Sequence, residues 1–167
     1  MNTECYIEPG LSGLNAFIIS PNAGITEWYD LENQEKLFNL IQLAFEYWPV
    51  DRSKVAVVGY SNGGNASWFY SEHQFTTFSA GIPMASSYDI SITDSTSRKI
   101  ETPLYVIHGE NDELFPLEIT QKWVEESIDA GSDIKFVVAD TLSHFRPCDY
   151  SPYLKEAANW LEEEVWK

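Results

Sequence analysis

The sequence of 167 residues is poor in basic side chains, histidine and cysteine. Its 10 Lys and Arg residues stand against 26 Asp and Glu residues, which gives a formal net charge of −16. A surface this acidic repels phosphate backbones and anionic lipid headgroups, so we expect neither nucleic acid nor a membrane as a partner. We interpret the charge as a solvated acidic surface that keeps the protein soluble.

Long hydrophobic runs and a leader pattern are also missing. No uninterrupted apolar run approaches the roughly 18 residues that a membrane span needs. The first residues, Met1 to Glu4, lack the basic and apolar regions of a signal peptide. We therefore expect a cytoplasmic protein. This expectation holds only if the N-terminus of the sequence is complete.

The two cysteines, Cys5 and Cys148, form neither a metal-ligand cluster nor a C-x-x-C pair. The pattern favours no metal site, and we expect no cofactor. The two thiols could pair only if the N-terminus folds back near residue 148. Whether the two cysteines form a disulfide stays open at this point.

Hydrophobic residues make up 44% of the chain and aromatic residues 14%, which is too apolar for a disordered protein. A domain of this length can remove roughly 70% of its unfolded surface from water. No internal repeat or composition break divides the sequence. We predict one domain over residues 1–167.

Short β-branched runs alternate with amphipathic stretches of helical length, the pattern of a parallel sheet covered by helices. The expected fold class is α/β, a three-layer sandwich around a mostly parallel sheet. The predicted strands are Ala16 to Ser20, Lys54 to Gly59, Phe78 to Met84, Leu104 to His108 and Ile134 to Ala139.

Helical spacing of apolar residues predicts helices after the first and fourth strands and at the C-terminus. The second of these helices should begin near Pro116 and bury Ile119, Trp123, Val124 and Ile128. The last should begin at Ser151-Pro152. The polar stretch Asp89 to Lys99 predicts a surface loop.

The hexapeptide from Gly59 to Gly64, G-Y-S-N-G-G, follows an apolar run and precedes a predicted helix. A strand, a sharp turn and a helix are the context of a G-x-S-x-G nucleophile elbow, with Ser61 as the nucleophile. Side chains two positions before and after the serine should clash in so tight a turn. The alternative is an ordinary turn whose serine only caps the helix.

A serine hydroxyl needs a base that a third group orients. Of the three histidines in the chain, His144 follows the fifth predicted strand, His73 should lie at the surface, and His108 closes the fourth strand. Asp112 follows that fourth strand, in the middle of a loop. The order of serine, acid and histidine makes Ser61, Asp112 and His144 the candidate catalytic residues, with three alternative acids: Glu110, Glu113 and Asp140.

These motifs resemble those of the α/β-hydrolase superfamily. The similarity is greatest to polyhydroxybutyrate depolymerases, feruloyl esterases and phospholipase/carboxylesterase-type enzymes. It rests on V-D-R-S-K-V before the elbow, P-L-Y-V-I-H-G-E-N-D-E-L-F-P around Asp112, and L-S-H-F around His144. The resemblance implies a Ser61–Asp112–His144 triad in a serine hydrolase.

One part of the family pattern is absent from the sequence. Full-length relatives have upstream strands, one ending in a His-Gly-rich oxyanion loop that has no counterpart here, so the resemblance implies a minimal or N-terminally truncated fold. The Asn62 backbone N–H is the expected first oxyanion donor. We predict that the first strand, Ala16 to Ser20, pairs in parallel with the nucleophile strand, so that Asn22, Ala23 or Gly24, which follow it, supplies the second donor.

Two functions follow from these observations. The first is hydrolysis of a small carboxylic ester, the expected small-molecule substrate, through an acyl-enzyme. The second is a catalytically impaired fragment that binds a ligand or partner, with an exposed sheet edge that would favour a homodimer. Candidate substrate contacts, each equally consistent with ordinary packing, are Tyr60, Trp28, Tyr88, Leu114 and Phe115.

Overall fold

Four strands form a parallel sheet in the order 56–60, 80–84, 104–111 and 134–143, and its two central strands are the most buried. The computed structural model describes residues 4–93 and 96–167. The strands of the chain are β1 (Ala56–Tyr60), β2 (Ala80–Met84), β3 (Ser91–Thr93), β4 (Thr96–Ser97), β5 (Leu104–Asn111) and β6 (Ile134–Ser143). The helices are α1 (Glu4–Leu11), α2 (Leu31–Tyr47), α3 (Asn62–His73), α4 (Leu117–Asp129) and α5 (Ser151–Trp160). A 3₁₀ turn (Pro147–Tyr150) precedes α5 and a π turn (Leu161–Val165) follows it.

Alternate side chains of the strands enter two different helix layers, as the period of two requires. Ile82 and Ile107 pack with α1 and α5 in the larger core, whereas Leu104 and Val106 pack with α3 and α4 on the other face. A third cluster joins α2 to α3 and to residues flanking the sheet. The predicted three-layer α/β sandwich is confirmed. No described helix is both long and apolar enough to cross a bilayer.

The strands β5 and β6 run further than the sequence predicts. They pair from Leu104 opposite Ile134 to Gly109 opposite Ala139, pass an irregularity, and pair again at Asn111 opposite Ser143. The irregularity lets both strands continue towards the C-terminal edge of the sheet. Asp112 and His144 are therefore the first residues after two paired strands.

The segment Ala16 to Ser20 is not a strand, so the prediction that it pairs with β1 is wrong. It joins α1, which packs on one face of the sheet, to α2, which packs on the other. The chain must pass from one helix layer to the other here, and Phe17 stacks on Trp48 at 4.9 Å between ring centroids. Among the described residues, β1 pairs with β2 alone and its other edge is open.

The predicted buried face of α4 and the predicted surface loop at residues 89–99 both differ in part from the structure. Helix α4 buries Thr120, Val124 and Ser127, while Ile119 and Ile128 are largely exposed. Ser127 can face inwards because its hydroxyl is hydrogen bonded to that of Ser132 at 2.8 Å. The predicted loop Asp89 to Lys99 contains the hairpin β3–β4, and its residues 94 and 95, like residues 1–3, lie outside the described part of the chain.

A disulfide joins Cys5 in α1 to Cys148 in the turn before α5. It adds a covalent link to a packed pair, since Gly10 of α1 lies so close to Leu154 of α5 that a Cβ there would come within 2.7 Å of that side chain. The N-terminus does fold back, which the sequence left open. Disulfides persist mainly in oxidising compartments. The cytoplasmic location stays an untested prediction, and the bond argues against it.

The disulfide should stabilise the protein strongly, because it closes a loop across a sequence separation of 143 residues. Removing a native disulfide from a small domain typically costs about 2–5 kcal/mol. We expect Cys5→Ser/Cys148→Ser to lower the free energy of unfolding by an amount in that range, measured by urea denaturation. Dithiothreitol should produce the same loss in the wild type and none in the double variant. Equal stability of the two proteins under oxidising conditions would contradict the disulfide between α1 and the turn before α5.

Candidate active site

Ser61 lies at the junction of β1 and α3, in a strained backbone conformation. Its φ of 56° and ψ of −120° lie outside the regions that non-glycine residues favour. Its N–H donates to the Met84 carbonyl of the neighbouring strand at 3.0 Å, and its carbonyl accepts from the Asn65 N–H at 2.9 Å. The bonds on both sides hold the serine in the turn, so strand and helix together maintain the strain.

The strand and the helix pack closely around Ser61, and this packing requires glycine at one of the two positions that the sequence predicts. A Cβ on Gly59 would come within 1.8 Å of the Gly63 carbonyl oxygen. A Cβ on Gly63 would meet nothing within 4 Å, so the expected clash after the serine is wrong for that residue. The crowded position is Gly64, where a Cβ would come within 2.6 Å of the Met84 carbonyl oxygen. Helix α3 can pack against β2 only because Gly64 has no side chain.

The structure brings Ser61, His144 and Asp112 together in one line of hydrogen bonds. His144 Nε2 lies 2.9 Å from Ser61 Oγ, and His144 Nδ1 lies 2.9 Å from Asp112 Oδ2. Asp112 and His144 are both buried. Because an ionised carboxylate only accepts hydrogen bonds, Asp112 fixes the proton on Nδ1 and leaves the Nε2 lone pair facing the serine hydroxyl.

Asp112 is oriented by its own loop. Its Oδ1 accepts the backbone N–H groups of Leu114 at 2.9 Å and Phe115 at 2.8 Å, which leaves Oδ2 for the histidine. His108 Nε2 donates to the Phe115 carbonyl at 2.8 Å and so holds the far end of the same loop. Burial lowers the pKa of His108, so its imidazole is neutral at physiological pH.

The remaining candidates for base and acid lie elsewhere. His73 is half-exposed at the end of α3, and His108 is a buried residue bonded to loop backbone, as the sequence suggested. Glu110 Oε2 accepts the Thr141 N–H at 2.8 Å, and Asp140 is exposed on β6. Asp112 is the carboxylate that lies within hydrogen-bonding distance of the His144 ring.

The main chain of His144 is held at both of its polar groups. Tyr60 donates its phenolic O–H to the His144 carbonyl at 2.6 Å. Glu113 Oε2 accepts the His144 N–H at 3.0 Å, and both oxygens of that carboxylate accept the Ser143 hydroxyl, at 2.8 and 2.9 Å. Sequence reasoning considered Tyr60 as a substrate contact and Glu113 as an alternative acid. Their adjacency to Ser61 and Asp112 is the sequence signal that could have identified these supporting contacts.

The loop that precedes α2 reaches the elbow without forming the expected strand pairing. Glu27 accepts a hydrogen bond from the Asn62 side chain, a contact that nothing in the sequence marks. Asn33 anchors this loop by donating to the Ala23 and Glu27 carbonyls at 3.1 and 2.9 Å. Of the predicted second oxyanion donors, the Gly24 N–H already donates to Asn22 Oδ1 at 2.8 Å. The strand pairing that would have carried this loop to the oxyanion position is absent, so the assignment of Asn22, Ala23 or Gly24 stays a prediction.

The residues expected to contact a substrate fall into two groups. Phe115 lies 5.6 Å from the His144 ring between centroids, and Leu114 beside it is 55% exposed. Tyr60 is buried behind His144, in contact with Tyr6 and Tyr150. The remaining two lie in other clusters: the Trp28 carbonyl accepts the Tyr70 hydroxyl, and the Tyr88 ring stacks on Trp68. Phe115 and Leu114 are thus the members of the set that flank the triad.

The described residues form no metal site, and a surface depression lies away from the triad. Within residues 4–93 and 96–167, no three His, Cys, Asp or Glu side chains converge on a point that could hold a metal ion. A shallow depression of about 580 Å³ lies away from the triad, along α2 and the residues that follow α3. It shares no residue with the serine, histidine or aspartate loops.

The profile of the dienelactone hydrolase family matches residues 26–166, a span that contains the elbow, the Asp112 loop and the His144 loop. None of the curated proteins matches the chain in sequence.

Solved structures share the fold at low sequence identity. A thermostable esterase is 21% identical with a TM-score of 0.63, and the shared part covers 79% of this chain and 36% of that one. An acylaminoacyl peptidase of Pyrococcus horikoshii is 19% identical with a TM-score of 0.67, over 86% of this chain and 29% of that one. The fluorophosphonate-binding serine hydrolase FphF of Staphylococcus aureus is 11% identical with a TM-score of 0.65, over 79% of this chain and 64% of that one. This chain thus spans about a third of the length of the first two proteins, and the likeness establishes the fold.

The lowered pKa of His108 should make the protein less stable in mild acid. Its folded-state pKa is depressed, so its contribution to stability is present above the unfolded pKa of about 6.5 and is lost as the pH falls below that value. We expect the free energy of unfolding, measured in urea, to decrease between pH 7.5 and 5.5. The decrease should be smaller in His108→Gln and unchanged in His73→Gln, which removes a half-exposed imidazole. Equal pH dependence in wild type and His108→Gln would contradict this assignment.

Proposed function

Because this chain belongs to the dienelactone hydrolase family of the α/β-hydrolase superfamily, we propose that it is a serine hydrolase that cleaves small carboxylic esters. The observation that supports the proposal is the pair of 2.9 Å contacts of His144, one to Ser61 and one to Asp112. A nucleophile, a base and an orienting acid within hydrogen-bonding distance are the requirement for activating a serine hydroxyl.

In the proposed reaction, Ser61 Oγ attacks the ester carbonyl while His144 Nε2 takes the hydroxyl proton. The tetrahedral intermediate collapses as the imidazolium gives that proton to the departing alcohol, and an acyl-serine remains. Water, deprotonated by the same nitrogen, then attacks the acyl carbon and releases the carboxylic acid. Asp112 stays ionised throughout and stabilises the imidazolium.

The oxyanion of this reaction would face the N-terminus of α3. We assign the first donor to the Asn62 backbone N–H, because Asn62 begins α3 and the helix dipole favours negative charge there. We assign the second donor to the loop that Glu27 holds against Asn62, with the Asn22 or Ala23 N–H as the donating group. Loss of one such donor costs on the order of 10²–10³ in rate.

The open surface around the triad supports a small substrate. Phe115 lies beside the His144 ring, while Leu114 and Phe145 on either side are more than half exposed. These apolar groups suit a short acyl or alcohol group that contacts a surface rather than entering a deep pocket. An acetyl ester is therefore the appropriate test substrate.

We expect measurable hydrolysis of p-nitrophenyl acetate that depends on Ser61. Ser61→Ala and His144→Ala should each lower kcat by at least about 10³-fold, because the members of a triad act as one unit. Ser53→Ala removes an exposed hydroxyl that donates to Asp51 rather than to a triad residue, and it serves as the matched control. Release of p-nitrophenol, followed by absorbance, gives the rate.

A fluorophosphonate probe offers a second measurement of the same chemistry. It should label Ser61 in the wild type. His144→Ala should suppress the labelling strongly, because a serine hydroxyl is a weak nucleophile without a base to take its proton. Intact-protein mass spectrometry with peptide mapping identifies the modified residue. Turnover that persists in Ser61→Ala, or the absence of both labelling and turnover in the wild type, would contradict the proposal. The second result would favour the alternative of a ligand-binding module without catalysis.

A further inference from the structure

The position of the His144 ring depends on a main chain that a neighbouring carboxylate holds. We propose that Glu113 is a positioning residue that keeps His144 aligned with Ser61 by binding the backbone of the histidine loop. The inference rests on the proposed function, because it concerns the base of that reaction. Glu113 acts through His144 and does not contact the reacting atoms.

The first support is the number and type of its hydrogen bonds. Glu113 accepts the His144 N–H at 3.0 Å and the Ser143 hydroxyl at 2.8 and 2.9 Å. The Ser143 oxygen in turn accepts the Phe145 N–H at 3.1 Å. One carboxylate therefore organises three consecutive residues centred on the base. Hydrogen bonds to an ionised acceptor are roughly twice as strong as neutral ones.

The second support is that Glu113 follows Asp112 directly in the chain. The Asp112 loop is closed by the two N–H bonds to Oδ1, so residues 112 and 113 move as one body. The side chain of Asp112 binds the ring of His144, and the side chain of Glu113 binds its backbone. Two attachments from one loop fix both the distance and the rotation of the imidazole relative to its acid.

The third support is that the chain leading to the base is strained and that the His144 main chain is held on its other side as well. Thr141, three residues before the base, has a φ of 62°, an unfavourable value for a β-branched residue. From the opposite side, Tyr60 holds the His144 carbonyl at 2.6 Å. Glu113 supplies the matching bond to the N–H, so both polar groups of this residue's main chain are fixed.

The fourth support is that Glu113 stays charged in neutral solution. The bond from the Ser143 hydroxyl, together with the backbone N–H groups, holds the pKa of Glu113 below its usual value. The restraint is therefore complete over the whole pH range in which a neutral imidazole can act as a base. Because Glu113 lies at the surface, its removal should change the geometry of the loop more than it changes the packing of the core.

The test compares Glu113→Ala, Glu113→Gln and Asp140→Asn in p-nitrophenyl acetate hydrolysis. We expect Glu113→Ala to lower kcat roughly tenfold with KM within about twofold, because small displacements of a catalytic group act on the chemical step. Glu113→Gln should recover part of the loss, since its amide oxygen can still accept the His144 N–H. Asp140→Asn removes another exposed carboxylate, four residues before the histidine, and it should leave kcat unchanged.

A double-mutant cycle with Ser143→Ala separates the restraint from a general charge effect. The losses in kcat of Glu113→Ala and Ser143→Ala should be less than additive, because the two side chains form one unit. Additive losses, an unchanged kcat in Glu113→Ala, or an equal loss in Asp140→Asn would overturn the inference. If Glu113→Ala does not fold at the assay temperature, Glu113→Gln and its cycle with Ser143→Ala decide the question.

A spectroscopic measurement keeps the inference distinct from the proposed activity. The proton between His144 Nδ1 and Asp112 should give a low-field imidazole resonance in the proton NMR spectrum. We expect Glu113→Ala to shift or broaden that resonance and Asp140→Asn to leave it in place. If the wild type shows no turnover that depends on Ser61, the proposed function fails, and this resonance alone decides whether Glu113 positions the histidine. An unaltered resonance in Glu113→Ala would then overturn the inference.

Discussion

Parallel pairing of the strands is the constraint on which the site depends. Since β1, β5 and β6 run in one direction, the residues that follow them meet at a single edge of the sheet. The two hydrogen bonds of the His144 ring contribute about 1–3 kcal/mol in total, whereas each fully buried apolar side chain contributes about 1.5–3 kcal/mol. The core contains many such side chains. The sheet therefore positions the triad, and the triad adds little to the stability of the sheet.

The triad is supported by its own neighbours in the sequence. Tyr60 precedes Ser61, and Glu113 follows Asp112, and each binds the main chain of His144 from a different side. Such an arrangement needs no additional element of the fold, because the strand ends that deliver the reactive side chains also deliver the groups that hold them. The strained turn at Ser61 is held in the same way, by one bond to β2 and one to α3.

The sequence was sufficient for features that depend on local patterns and failed for those that depend on distant packing. Local patterns identified the fold and the three triad residues. These patterns are the glycine spacing, the order of Ser61, Asp112 and His144, and the alternation of strands with helices. The β-branched run at Ala16 to Ser20 has the composition of a strand, but propensity could not show that this segment must connect two helix layers. The pairing of Cys5 with Cys148 depends on α1 packing against α5, which no local pattern encodes. The buried face of α4 differs in part from the one that the apolar spacing predicts, because Ser127 finds a hydrogen-bond partner inside.

The link between Cys5 and Cys148 also determines how the molecule would carry a mechanical load. Tension applied between Glu4 and Lys167 would pass through the sulfur–sulfur bond directly into the segment from Cys148 to the C-terminus. The covalent path would bypass residues 6–147, which include every strand of the sheet and all three members of the triad. Under oxidising conditions the load would act on the segment from Cys148 to the C-terminus, and under reducing conditions the same force would act on the strands of the sheet.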